Sequence, residues 1–155
     1  MLPLRRVAVL LLSTGAGFLG PAGAAAPTDV RDTSYTVPGG ERVLELSIDV
    51  PAPVREVWRA FATSEGFASW AVPVAHVDMR EGGMIESSYD PKAAIGAPGN
   101  IRNAILVAVP ERLIVMRNVQ APPKTPFDVP TFQKLVTAIT LVPLGPDATR
   151  VTSGR

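Results

Sequence analysis

The chain has no cysteine, and among its 155 residues a single histidine, His76. Without thiols there is neither a disulfide framework nor a thiolate nucleophile. One imidazole and no Cys cannot supply the several ligands that transition metals take at short spacing, and the acids stand singly along the chain. GxGxxG, a Walker-type phosphate loop and a GxSxG elbow are all absent, so the sequence implies no nucleotide cofactor, no metal and no serine-hydrolase set. An excess of one charge is missing as well. Fifteen basic residues stand against 14 acids, which gives no electrostatic footprint for nucleic acid. Long apolar runs are also lacking: the stretch from Val7 to Leu12 falls far short of the roughly 20 residues that cross a bilayer.

That short run is nevertheless informative, because Arg5 and Arg6 precede it and Ala22-Gly23-Ala24 follows it. A basic start, a brief apolar core and a small-x-small site, in that order, read as a secretory signal cleaved after Ala24. Residues 1–24 are thus expected to be removed, with the mature chain exported to the periplasm or the medium and left without a stable membrane anchor. No cysteine precedes the cut, so a lipoprotein anchor is excluded. The signal takes Arg5 and Arg6 with it, leaving 13 basic residues against 14 acids and a formal charge near −1. A mature chain of about 130 residues lies above the size at which a hydrophobic core normally needs staples, and one domain is expected. Residues 25–42, rich in Pro, Gly, Thr and Asp without an apolar period, read as a flexible lead-in. The domain then covers 43–155.

Order begins where Leu44, Leu46, Ile48 and Val50 alternate with Glu45, Ser47 and Asp49, the period of two of a strand with one buried face. At Pro53 the period changes. Val54, Val57, Trp58 and Phe61 fall at i, i+3, i+4 and i+7, which predicts a helix with one apolar stripe, and a second short helix closes at Trp70. A hairpin follows, Val72 to Val77 and Met84 to Tyr89, turned at Gly82-Gly83. Residues 90–99 read as a loop. Two strands, about Ile101 to Val109 and Leu113 to Val119, meet at Pro110-Glu111. The segment "QAPPKTPFDVPTF" is too rich in proline to be regular, and is expected to be a lid or edge loop. A last pair of strands turns at Gly145-Pro146-Asp147. Helices grouped ahead of a run of antiparallel strands make an α+β protein.

The residues "LELSIDVPAPVREVWRAFATSEGFASW", "DMREGGMIE", "NAILVAVPERLIVM" and "AITLVPLGPDATRVT" carry a resemblance to the START-like, or SRPBCC, superfamily, and within it to the branch of homologues of the heat-shock ATPase activator. The resemblance spans about Val43 to Thr152. It implies a helix-grip fold, in which a bent antiparallel sheet with two short N-terminal helices encloses a mostly apolar cavity against a long C-terminal helix. That last helix would require about twenty residues beyond the final strand, where this sequence has only Ser153-Gly154-Arg155. Either the chain is truncated here or another surface covers the sheet, and a homo-oligomer is among the expected assemblies.

The resemblance implies a small hydrophobic or amphipathic ligand. Trp70, at the implied cavity mouth, and Tyr89, at the end of the hairpin, are candidates to line the site. Glu86 with Arg102 or Arg117 forms a polar spot in that cavity if the three face inward; if they face outward they belong to a solvated convex face. A cyclase- or hydrolase-type enzyme using the same cavity is the alternative, with His76, Asp78 and Glu86 as its acid–base candidates. A chaperone partner is a third reading. A lone strand histidine with no orienting partner in the sequence favours binding without chemistry. The signal makes a direct prediction: protein recovered from the exported fraction of its host has an intact mass that starts at Ala25, whereas a chain retaining Met1 contradicts export.

Overall fold

The structure is a computed structural model that describes residues 29–122, 125–126 and 128–155; the signal segment 1–24 lies outside the described residues. Four strands come first: β1 (Arg31–Asp32), β2 (Tyr35–Thr36), β3 (Arg42–Val43) and β4 (Glu45–Val50). Two helices follow, α1 (Val54–Ala62) and α2 (Ser64–Ala68), then β5 (Val74–Val77), β6 (Met84–Ser88), β7 (Ile101–Val109) and β8 (Leu113–Gln120). A one-turn helix α3 (Val129–Phe132), β9 (Val136–Gly145) and β10 (Ala148–Gly154) complete the described elements. The antiparallel sheet runs β1-β4-β10-β9-β8-β7-β6-β5, with β2 and β3 as a separate ribbon. This is the α+β arrangement that the element order implied.

Strand period and pairing register together decide which face is buried. Val50 pairs with Thr149, Ile48 with Val151, and Val151 with Leu141; Ile139 pairs with Ile114, and Asn103 with Ile85. One continuous apolar layer results, and Ile85, Ile105 and Ile114 are each only 1 % exposed within it. Each such side chain contributes about 1.5–3 kcal/mol relative to an exposed one. Irregularities in pairing at Arg102/Asn103, Ile105/Val107 and Ala148/Thr149 bend β7 and β10, turning the apolar layer into a concave surface. Thr149, fully buried, donates to the Ala52 carbonyl at 2.8 Å and so ties the entry of α1 to that surface.

The helices follow from local chemistry. Pro53, at φ −57°, stands at the N-cap of α1, where its missing N–H costs nothing. Val57 and Phe61 are buried from the predicted stripe, with Val54 and Trp58 packed at its edge. Thr63 then leaves the helical conformation, and its Oγ1 accepts from the Gly66 amide at 2.9 Å, capping α2. A Cβ on Gly66 would lie 2.1 Å from the Arg59 carbonyl oxygen, so only glycine permits this sharp corner. Among the described residues the longest helix is α1, of nine residues.

Two parts differ from expectation. The segment 25–42 was expected to be a flexible lead-in, yet among its described residues β1 lies along the sheet edge, where Arg31 pairs with Ser47 and donates to Asp49 at 2.7 and 3.2 Å, and β2 pairs with β3 in a ribbon of its own. Asp49 also takes Arg150 at 2.7 Å, and these two arginines hold its carboxyl well below the usual carboxylate range. The short-range pattern cannot reveal this, because the partners are 18 and 101 residues apart. Likewise the Pro-rich segment contains α3, since Asp128 accepts from the Thr131 amide at 3.0 Å and Pro130 occupies the first turn.

The β5–β6 hairpin supplies a stability test. A Cβ on Gly83 would meet the Asp78 carbonyl oxygen at 2.2 Å, whereas Gly82, at φ +75°, has open space around it. Gly82→Ala should cost about 1 kcal/mol through backbone strain. Gly83→Ala should cost clearly more, because backbone must move. Equal melting temperatures for the two variants would contradict this turn geometry.

Candidate functional site

The concave face and the two helices enclose a cavity of about 510 Å³. Ile48, Ile85, Ile114, Ile139 and Val151 form its floor, and Val57, Phe61, Phe67 and Trp70 form its roof. Trp70 meets Phe61 and Phe67 edge-on, with ring centroids at 5.1 and 5.5 Å, a geometry that fixes all three rings. Its indole N–H donates to the Ala60 carbonyl at 2.8 Å. Trp70 therefore presents hydrocarbon to the cavity and no donor. Ala121, Pro122 and Phe132, from the Pro-rich segment, line it on another side, together with Tyr89 and Arg155. The Arg155 guanidinium lies over the Phe132 ring at 5.7 Å, a cation–π contact.

A second cluster lies on the opposite face. His76 pairs with Glu86, and Glu86 with Arg102, so all three sit on the side away from the Ile85 layer. Glu86 is buried there under the loop between β6 and β7. Its Oε1 accepts from the Gly96 amide at 2.5 Å and from Asn100 Nδ2 at 2.6 Å, and Arg102 Nε lies 3.3 Å from Oε2. Burial pushes this carboxyl up, but the bonds from Asn100 and Gly96 and the Arg102 charge more than offset it, leaving its pKa below the ordinary value. Asn100 also donates to the Ala94 carbonyl at 2.8 Å. The cluster is a clamp that closes the 89–100 loop onto the sheet.

The structure brings Trp70 and Tyr89 to the cavity and does not bring Glu86, Arg102 or Arg117 there. The inward alternative for those three is corrected by the register: Arg117 pairs with Ala104 and Val136 and is exposed on the face away from the cavity. Nor do His76, Asp78 and Glu86 assemble facing it. His76 is exposed, and Asp78 is engaged with Arg80 at 2.9 Å in the hairpin. No group of three or more His, Cys, Asp or Glu that could hold a metal ion is found among the described residues. Sequence reasoning passed over Asn103 and Asn118, which line the cavity. Their signal was available: each occupies an inward position of a strand whose neighbours two residues away are apolar, Ile101 and Ile105 beside Asn103, and Met116 before Asn118.

A bent antiparallel sheet closed by two short helices over an apolar cavity defines the START-like, helix-grip class. Within it the chain belongs to the family described as activator of Hsp90 ATPase homolog 1-like protein, which residues 51–154 match. Solved structures share the fold. CalU16 from Micromonospora echinospora is 23% identical, over 82% of this chain and 68% of that one, with a TM-score of 0.53. The Aha1 dimer from Colwellia psychrerythraea is 12% identical over 73% and 74%, TM-score 0.56. An HSP90 activator from Plasmodium falciparum is 11% identical over 72% and 70%, TM-score 0.51. No curated protein matches the chain.

The clamp predicts an acid-dependent loop. A carboxyl whose folded pKa is depressed contributes fully above its unfolded value, about 4.3, and loses that contribution as pH falls through the folded value. Hydrogen-exchange protection of the Gly96 amide, corrected for intrinsic rate, should be flat from pH 7 to 5 and fall in more acidic solution. Glu86→Gln should lower it already at pH 7. Protection indifferent to both would remove the clamp.

Proposed function

We propose that this chain is an exported binding protein that holds a small hydrophobic or amphipathic molecule in the cavity between sheet and helices, without covalent chemistry. The observation that carries this reading is the cavity itself, about 510 Å³, in the size range of small-molecule sites and lined mainly by hydrocarbon. Such a volume removes an apolar guest of two or three rings from water, and each Å² of apolar surface so buried contributes about 25 cal/mol before the costs of association. The family and the fold are compatible with this role. The basic start and small-residue cut site at Ala22-Gly23-Ala24 support export.

The enzyme alternative finds less support. Its acid–base candidates His76, Asp78 and Glu86 lie outside the cavity lining, and general acid–base catalysis requires hydrogen-bond reach to the reacting group. A chaperone-partner role rests on the family description alone; stimulation of a purified Hsp90 ATPase by the purified chain would favour it over binding.

Binding of 1-aminoanthracene, followed by its fluorescence, tests the reading. Thr137, half-buried, lines the cavity, so Thr137→Phe should occupy part of the volume, weaken binding at least about tenfold and leave the melting temperature unchanged or raised. Trp70→Ala should also weaken binding. Undiminished affinity in Thr137→Phe would put the probe elsewhere.

A further inference from the structure

The cavity wall is almost free of charge. Among the described residues that line it, Arg155 alone carries a formal one. The period of two along β10 sets the Arg155 side chain on the same face as Val151 and Ser153. Ser153 pairs with Ile139 and Gly154 with Ala138, so the next step of that register brings Arg155 opposite Thr137. Its main chain is tied down: the amide donates to the Leu44 carbonyl at 2.9 Å, and the carbonyl oxygen accepts from the Leu44 amide at 3.0 Å. Phe132, which also lines the cavity, has the guanidinium over its ring at 5.7 Å. Yet Arg155 forms no ion pair with any described residue. Glu45, the nearest acid in the register, pairs with Gly154 and so belongs to the other face, where it accepts from Thr33 Oγ1 at 2.7 Å. A guanidinium, with five N–H donors, thus stands at the edge of a hydrocarbon cavity without an acid to meet it.

We infer that the guest is amphipathic and singly anionic, a carboxylate on an apolar skeleton, with its head against Arg155 and its skeleton over the isoleucine floor. This rests on the binding reading given under Proposed function and names the head group that reading leaves open. Arg102 and Arg117 lie on the opposite face and cannot take that part. A planar carboxylate accepts two parallel N–H bonds from a guanidinium. Thr137 and Ser153, half-buried on the same stretch of wall, offer hydroxyls to its remaining lone pairs. An ammonium head would meet like charge, and a pure hydrocarbon would gain nothing from Arg155. Because Arg155 is exposed, the head stays at the mouth and keeps part of its hydration, which avoids the heavy cost of burying a charge. Only the skeleton has to leave water.

The test compares 2-naphthoate with 2-naphthamide, alike in shape and different in charge, by calorimetry at pH 7 on the whole protein and on Arg155→Met, Arg155→Lys and Arg117→Met. The ratio of the two affinities, naphthoate over naphthamide, should fall about tenfold in Arg155→Met, since hydrogen bonds to a charged group are the stronger kind. It should be partly kept in Arg155→Lys, which retains the charge without the fork. Arg117→Met removes the same charge from the opposite face and should leave the ratio unchanged. An unchanged ratio in Arg155→Met, or an equal fall in Arg117→Met, with both probes bound, overturns the anionic head and leaves the cavity reading intact. Failure of both probes to bind the unmodified protein overturns the cavity reading and this inference with it.

Discussion

Everything in this molecule depends on the division of one antiparallel sheet into two unlike faces. Successive side chains point to opposite sides, and a slip of one residue in any ladder would exchange them. With Ile48 against Val151, Ile114 against Ile139 and Ile85 against Asn103, the inward set is almost entirely hydrocarbon. The outward set holds Asp49, Glu86, Arg102, Arg117 and Arg150. Hydrocarbon on one face requires a cover, and α1 and α2 are too short to fill the space they cover. What they leave is the cavity.

The outward face holds the strands that shape it. Asp49 on β4 joins Arg31 on the neighbouring β1 to Arg150 on the neighbouring β10 through two arginine contacts, each at 2.7 Å. Exposed pairs of this kind add little energy singly, but these share one carboxylate and cross three adjacent strands, which favours one register over its neighbours. Glu86 does comparable work at the other end of the sheet by seating the 89–100 loop. Charge is thus used outside for alignment, while hydrocarbon lines the cavity inside. Asn103 and Asn118 bring polar side chains to the cavity lining, as do Ser47, Thr137 and Ser153.

Much of this was legible in the residues. The strand expected from Leu44 to Val50, which the structure has as Glu45–Val50 with Leu44 outside it and exposed, the apolar stripe of α1 and the Gly82-Gly83 turn all follow from local period and backbone chemistry. Trp70 was placed toward the cavity by the family resemblance, which sets the cavity mouth at the end of the second short helix. The face of Glu86 was not legible, since the alternation of "MIESSY" is equally consistent with either orientation until the pairing with Arg102 and Asn103 is known. The attachment of β1 to the sheet was hidden for a similar reason: Asp49 looks like one more outward acid until Arg31 and Arg150 arrive from distant parts of the chain. Asn103 and Asn118 could have been singled out, because a polar residue at the inward phase of an apolar strand is an anomaly visible in sequence alone.

The central claim is that a guest occupies the space between the concave face and the helices. Methyl-resolved nuclear magnetic resonance, with 2-naphthol titrated into protein labelled at Ile, Leu and Val methyls, reads this directly. The account predicts saturable shifts in the methyls that line the cavity, among them Ile48, Ile85, Ile114, Ile139, Val151 and Val57, with Val115, Val142 and Leu144 on the opposite face unmoved. Shifts on those outward methyls, or none on the inward set, would contradict it.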